Sequence, residues 1–139
     1  MEKSDPYRLD EQVGYILRRV TQRHLAIFSD AIPQVTTTQF AVLARLSELG
    51  PQSQNQLGRE TSMDAATIKG VVDRLSRQGL VVITPDPEDK RRLTVGLSEA
   101  GKTLFSETRA AASAVSVKTL EPLTQDERVS LLRLLSKLC

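Results

Sequence analysis

The chain has one histidine, His24, and one cysteine, Cys139. A lone terminal thiol closes no internal disulfide and builds no thiolate metal site. A redox switch needs a thiol beside a depressing positive charge; Cys139 has none visible in the sequence and reads as an incidental exposed residue. So few imidazoles and thiols assemble no metal cluster and place no nucleophile beside a base. A Gly-rich phosphate loop is also missing, so neither catalysis nor a bound cofactor is expected. Apolar runs stay well short of the ~18 residues of a membrane span. The opening residues, Met1 to Pro6, are polar and lack a signal-peptide core. The expected location is the cytoplasm, with no membrane partner. Aromatics are scarce as well: three Phe and two Tyr, which gives weight to where Phe28 and Phe40 fall.

What is present is an ordinary globular composition, 40% hydrophobic and 26% charged over 139 residues, enough for one domain. Net charge is only +2. Between Arg59 and Arg92 seven basic residues face six acidic ones, so composition alone does not mark a nucleic-acid binder and placement must decide.

Helical periodicity runs from about Asp10 to Ile32, with Val13, Leu17, Val20, Ile27, Phe28 and Ala31 on one face. Pro33 stops it. Thr36-Thr37-Thr38-Gln39 is a capping box that opens a second helix, ended by Gly50-Pro51. Ser53-Gln54-Asn55-Gln56 reads as another box, opening a short helix to about Glu60. Asp64 is a good N-cap for a fourth helix to Gln78, and Gly79 suits a left-handed C-terminal cap. Two β-rich stretches, Leu80–Thr84 and Leu93–Leu97, flank a charged tip, Pro85 to Arg92. The prolines there are expected to end the ladder in a loop. Ser98 caps a long fifth helix. Pro122 breaks the chain, and Thr124-Gln125-Asp126-Glu127 opens a leucine-rich sixth. The fold class is mainly α with a small β wing: a winged helix-turn-helix flanked by N- and C-terminal helices.

On a wheel of the fourth helix, Ile68, Val71, Val72 and Leu75 face inward. Ala65, Ala66, Lys69, Gly70, Asp73 and Arg77 face outward. The small side chains let a helix approach base edges, and Thr67 and Lys69 can reach phosphates or bases. Read alone, the same face is equally a solvated surface. At the wing tip, Lys90, Arg91 and Arg92 can reach the minor groove or its phosphates, with Asp89 fixing one arginine. Read alone, that tip also serves as edge-strand protection.

The run Met63-Asp64-Ala65-Ala66-Thr67-Ile68-Lys69-Gly70-Val71-Val72-Asp73-Arg74-Leu75, then Gly79-Leu80-Val81, Asp89-Lys90-Arg91-Arg92 and Leu97-Ser98-Glu99-Ala100-Gly101, resembles the MarR family of bacterial transcriptional regulators over essentially the full length. One departure is Ile83-Thr84, where the family often carries an arginine entering the wing. The resemblance implies one domain, residues 1–139. Within it, 36–101 form the winged helix-turn-helix, and 9–35 with 102–139 serve mainly as dimerisation helices. It implies an obligate homodimer on a pseudo-palindromic DNA operator, acting as a repressor that a small phenolic or aromatic carboxylic acid releases. The DNA-contacting residues expected on this basis are Ser53, Gln54, Asp64, Ala65, Ala66, Thr67, Lys69, Gly70, Arg74, Asp89, Lys90, Arg91 and Arg92. Leu9, Val13 and the leucine-rich last helix offer more apolar surface than one winged helix covers, as a dimer requires.

His24 lies near the centre of the first helix's apolar stripe, where an imidazole must be hydrogen-bonded or costs ~1–3 kcal/mol. It reads as a satisfied core residue, as an anchor for a ligand hydroxyl or carboxylate, or as a partner across a dimer interface. Arg19 and Arg23 flank it and suit an acid, though such arginines also serve as surface or salt-bridge residues. Phe28 and Phe40 supply flat apolar walls, and Gln39 completes the candidate effector set. The alternatives are a ligand-independent winged-helix DNA binder and a protein-interaction domain.

Overall fold

The structure is a computed structural model that describes residues 5–139. Helix α1 runs Val13–Ala31, later than the periodicity suggested. Leu9–Glu11 instead form a single 3₁₀ turn. The backbone N–H of Glu11 and the side-chain amide of Gln12 both donate to the Arg8 carbonyl, at 3.1 Å each. The turn thus closes on itself, and Gln12 is left extended (φ −87°, ψ 131°) as the N-cap of α1.

Helix α2, Thr37–Leu49, opens with the full capping box. The Thr36 hydroxyl accepts from Gln39 N–H at 3.2 Å, and Gln39 Oε1 accepts from Thr36 N–H at 2.9 Å. The box at Ser53 is only half formed. Ser53 Oγ accepts from Gln56 N–H at 3.1 Å. The Gln56 side chain turns away, to Glu60 Oε1 at 2.6 Å and Arg59 at 2.6 Å, because those (i, i+3) and (i, i+4) partners lie on its own face. Helix α3, Gln54–Glu60, leads through a turn to α4, Ala65–Arg77. Gly79 (φ 75°) ends α4 in a Schellman motif: its N–H donates to Ser76 O at 3.0 Å, and Leu80 N–H donates to Leu75 O at 2.9 Å.

Three antiparallel strands follow the order β1-β3-β2. The hairpin strands are β2, Val81–Pro85, and β3, Leu93–Leu97. The two-residue β1, Gln52–Ser53, pairs with Val95 and Thr94, and nothing in its polar sequence announces it. Pro85 belongs to the ladder, opposite Leu93. It is tolerated because it is the last residue of an edge strand. Helices α5, Glu99–Thr119, and α6, Gln125–Ser136, complete the chain, capped by Ser98 and by the Thr124/Glu127 box.

One core joins these elements. Ile68, Val72 and Leu75 of α4 pack with Val42, Leu43 and Leu46 of α2, Leu57, Val81, Val95, Phe28 of α1 and Ile32, its C-cap residue. The apolar stripe of α1 is therefore divided. Toward its C-terminus Phe28 is buried and Ile27 half-buried, though Ala31 is exposed, while Val13, Ile16, Leu17 and Val20 are 40–64% exposed. Helix α6 buries no residue, and Val129, Leu132, Leu134 and Leu138 lie open.

Candidate nucleic-acid interface and ligand cleft

Helix α4 buries Ile68, Val72 and Leu75 and turns its other face to solvent. Ala65, Ala66, Thr67, Lys69, Gly70 and Arg74 are all exposed, and a side chain built at Gly70 would meet nothing within 4 Å. The face is bare, as close approach to a base edge requires. Asp64 caps the helix, accepting from Thr67 N–H at 2.7 Å. The Thr67 hydrogen bonds hold its carboxyl below the ordinary value of 3.8. Lys69 is held on its own helix by Asp73 at 2.8 Å, so a phosphate must compete with an exposed (i, i+4) pair. Such pairs are weak.

The wing tip is ordered by its acids. Asp86 Oδ1 accepts from the N–H groups of Glu88 at 2.8 Å and Asp89 at 3.3 Å. Asp89 Oδ1 accepts from Arg91 N–H at 3.0 Å and from its Nε at 3.4 Å, leaving the Arg91 side chain 93% exposed. Lys90 and Arg92 are exposed beside it. The fold brings Arg91 and Arg92 to the start of α3, where Ser53, Gln54, Asn55 and Leu93 complete a small pocket. Gln54 Oε1 is buried there without a hydrogen-bond partner. Sequence patterning does not single out Asn55, because the wing residues that share its pocket lie some forty residues away along the chain.

The six expected effector residues fall in three places. Phe28 and Gln39 line a cleft of about 590 Å³ between the C-terminal half of α1 and the N-terminus of α2. Leu25, Ile32, Val35 and Thr37 also line it, and Ser29, Gln34 and Gln78 add polar groups. Phe40 stands behind this wall, edge-on to Phe28 at 5.8 Å and tilted on Phe105 at 5.5 Å. His24 is half-buried, and its Nδ1 pairs with the Thr119 hydroxyl at 2.8 Å. The imidazole is thus satisfied at one nitrogen. Arg23 donates to the carbonyls of Thr119 at 2.6 Å and Lys118 at 3.1 Å, closing the C-terminal end of α5. Arg19 lies over the Tyr15 ring at 6.0 Å and borders a shallow groove with Ile16, Val20 and Arg23. Among the described residues, no charged side chain lines the cleft itself.

The MarR family model matches residues 35–93. The HTH-type transcriptional repressor NicR of Pseudomonas putida is 42% identical over 135 residues, covering 96% of this chain and 85% of its own. A crystal structure of a probable transcriptional regulator from Pseudomonas aeruginosa is 50% identical, with TM-score 0.92 over 95% of this chain and all of that one. Bordetella bronchiseptica BpsR, whose DNA binding is regulated by 6-hydroxynicotinic acid, is 38% identical, with TM-score 0.90 over 96% of each chain.

Proposed function

The chain belongs to the MarR family, and from that premise we propose that it is a homodimeric DNA-binding transcriptional repressor released by a small aromatic carboxylic acid. The observation that carries this reading is the bare outer face of α4, Ala65, Ala66 and Gly70, presented beside a wing whose Arg91 and Arg92 reach the start of α3. A helix of that kind enters a major groove, and the neighbouring cations lie on the backbone. In this reading Thr67, Lys69 and Arg74 meet bases or phosphates, Asp64 sets the helix start, and Ser53, Gln54 and the Asp89–Arg92 tip track the backbone. Residues 36–101 bind DNA, while 9–35 and 102–139 mainly assemble the dimer through the exposed faces of α1 and α6.

The effector reading rests on the cleft and on its neighbours on α1. A volume of about 590 Å³ admits a substituted aromatic ring, with Phe28 as its wall and Gln39 and Thr37 as polar groups. Thr119 fixes the His24 ring through Nδ1, which leaves Nε2 for a ligand oxygen. Arg19 makes no hydrogen bond to the described residues, borders its own groove with Ile16, Val20 and Arg23, and is a cation available to a carboxylate on that helix. The nicotinate-type effector of BpsR makes that acid class the first to test.

The test is fluorescence anisotropy on the DNA upstream of the protein's own gene, with and without nicotinate-, benzoate- and cinnamate-type acids. Tight binding released by one class supports the whole reading. Tight binding that no acid disturbs leaves a ligand-independent regulator. If neither that DNA nor a random-site pool binds at low salt, the DNA reading is overturned and the interaction-domain alternative takes its place.

A further inference from the structure

The segment Leu97-Ser98-Glu99-Ala100-Gly101 grips the end of the reading helix. Ser98 Oγ donates to the Gly79 carbonyl at 2.6 Å and accepts from Gly101 N–H at 3.0 Å. Ser98 N–H donates to the Leu80 carbonyl at 3.1 Å. A Cβ at Gly101 would fall inside the van der Waals shell of that same carbonyl oxygen and within 3.3 Å of Leu97 Cδ2. Gly79 and Leu80 are the two residues that close the Schellman motif of α4. One hydroxyl therefore joins the last turn of α4 to the first turn of α5, and the missing side chain at Gly101 lets the two backbones meet.

We infer that Ser98 is a positioning residue for DNA reading: it sets the angle of α4 on α5, the helix that packs along α1 and α2. The physical reason is geometric. The α4–β2 connection is only three residues long, Gln78 to Leu80. Two of its three carbonyls, those of Gly79 and Leu80, accept from the Ser98 hydroxyl and the Ser98 N–H, which ties this end of α4 to the α5 cap. A shift of α5 would carry the reading helix with it. This inference rests on the DNA-binding reading above.

The test separates the two functions of the hydroxyl. Ser98→Asp keeps an oxygen to accept from Gly101 N–H, since Asp caps as well as Ser, but has no proton for the Gly79 carbonyl. Ser98→Gly removes both the donor to Gly79 and the acceptor for Gly101 N–H, adds no charge, and weakens a helix start only slightly. Ser98→Thr keeps both bonds. Each is measured by anisotropy on a duplex that the unaltered protein binds, across a salt series, with the folded fraction followed by circular dichroism. The expected result is that Ser98→Asp and Ser98→Gly stay folded but bind about tenfold more weakly, the scale of one mis-set base contact. Their salt dependence should also be shallower, because a tilted helix loses phosphate contacts, while Ser98→Thr behaves as the parent. Loss of folded protein alone would lower the binding-competent fraction without changing that slope. Folded Ser98→Asp and Ser98→Gly proteins that bind with parental affinity and slope would overturn the inference. If Ser98→Asp fails to fold, Ser98→Gly decides alone. Failure of the unaltered protein to bind any duplex would instead overturn the DNA reading, before any variant is made.

Discussion

At the scale of single residues, small groups have effects out of proportion to their size. Asp64 caps α4, and its folded-state carboxyl titrates below the ordinary value of 3.8 because Thr67 hydrogen-bonds the ionised form. Its contribution to stability is therefore complete above the unfolded value, and is lost as pH falls through the lower folded value. Asp64→Asn keeps a neutral cap, so the parent should be the more stable of the two at neutral pH, and the two melting curves should converge below about pH 3.8; a pH series of thermal melts checks this. Ala66 is exposed on the bare face, so Ala66→Leu should change folding stability by no more than about 0.5 kcal/mol while abolishing tight operator binding. Unchanged binding would move the reading surface elsewhere. Gly101→Ala should be costly. Its new methyl group must displace a backbone carbonyl rather than a flexible side chain, and urea unfolding should show a loss at or above the about 1–3 kcal/mol of ordinary overpacking.

At the scale of elements, joints rather than helices distinguish this chain. The wing is stiffened by Asp86 and Asp89, which hold the tip while Arg91 stays in solvent. Arg91→Ala or Arg92→Ala should weaken binding to all sequences alike and lower the salt slope by about one each, as removal of a phosphate contact does. A loss confined to one base position would make that arginine a base reader. The other joint ties α1 to the end of α5 through Arg23 and His24. The wheel put His24 at the centre of the apolar stripe, but the imidazole partner comes from Thr119, 95 residues away, and no local pattern could supply it. His24→Ala should remove thermal protection by the releasing acid while leaving free-protein DNA affinity near the parent's. Parental protection would reduce His24 to the α1–α5 tie alone.

At the scale of the whole molecule, the exposed surface calls for a second copy. Val13, Ile16, Leu17 and Val20 on α1, Val129, Leu132 and Leu134 on α6, and Leu138 just after it are 40–71% exposed. A two-fold pairing of these faces would bury them, and binding two half-sites one helical turn of DNA apart would require the two α4 helices to stand roughly 34–36 Å apart. Sedimentation velocity should find a dimer at micromolar concentration, with a melting temperature that rises with protein concentration. Leu132→Asp should shift the population to monomer and lower affinity for a two-half-site duplex. Parental sedimentation by that variant would place the interface elsewhere.

The sequence alone determined what depends on neighbours along the chain. Caps at Thr36, Asp64, Ser98 and Thr124, the left-handed Gly79, the buried face of α4 and the alternating strands all act within a few residues. It overran the start of α1, because the 3₁₀ turn at Leu9–Glu11 keeps helical spacing while closing on Arg8. It overstated the Ser53 box, because Gln56 had better partners on its own helix. Only the tertiary structure decided which side chains meet across long stretches of chain. It brought the wing arginines to Ser53 and Gln54 and paired β1 with β3. It also divided the effector candidates among a cleft, a helix joint and an open face, and closed the α4–α5 contact on Gly101. Those pairings follow from how packed helices direct their side chains, and a one-dimensional pattern carries no information about partners beyond its own period.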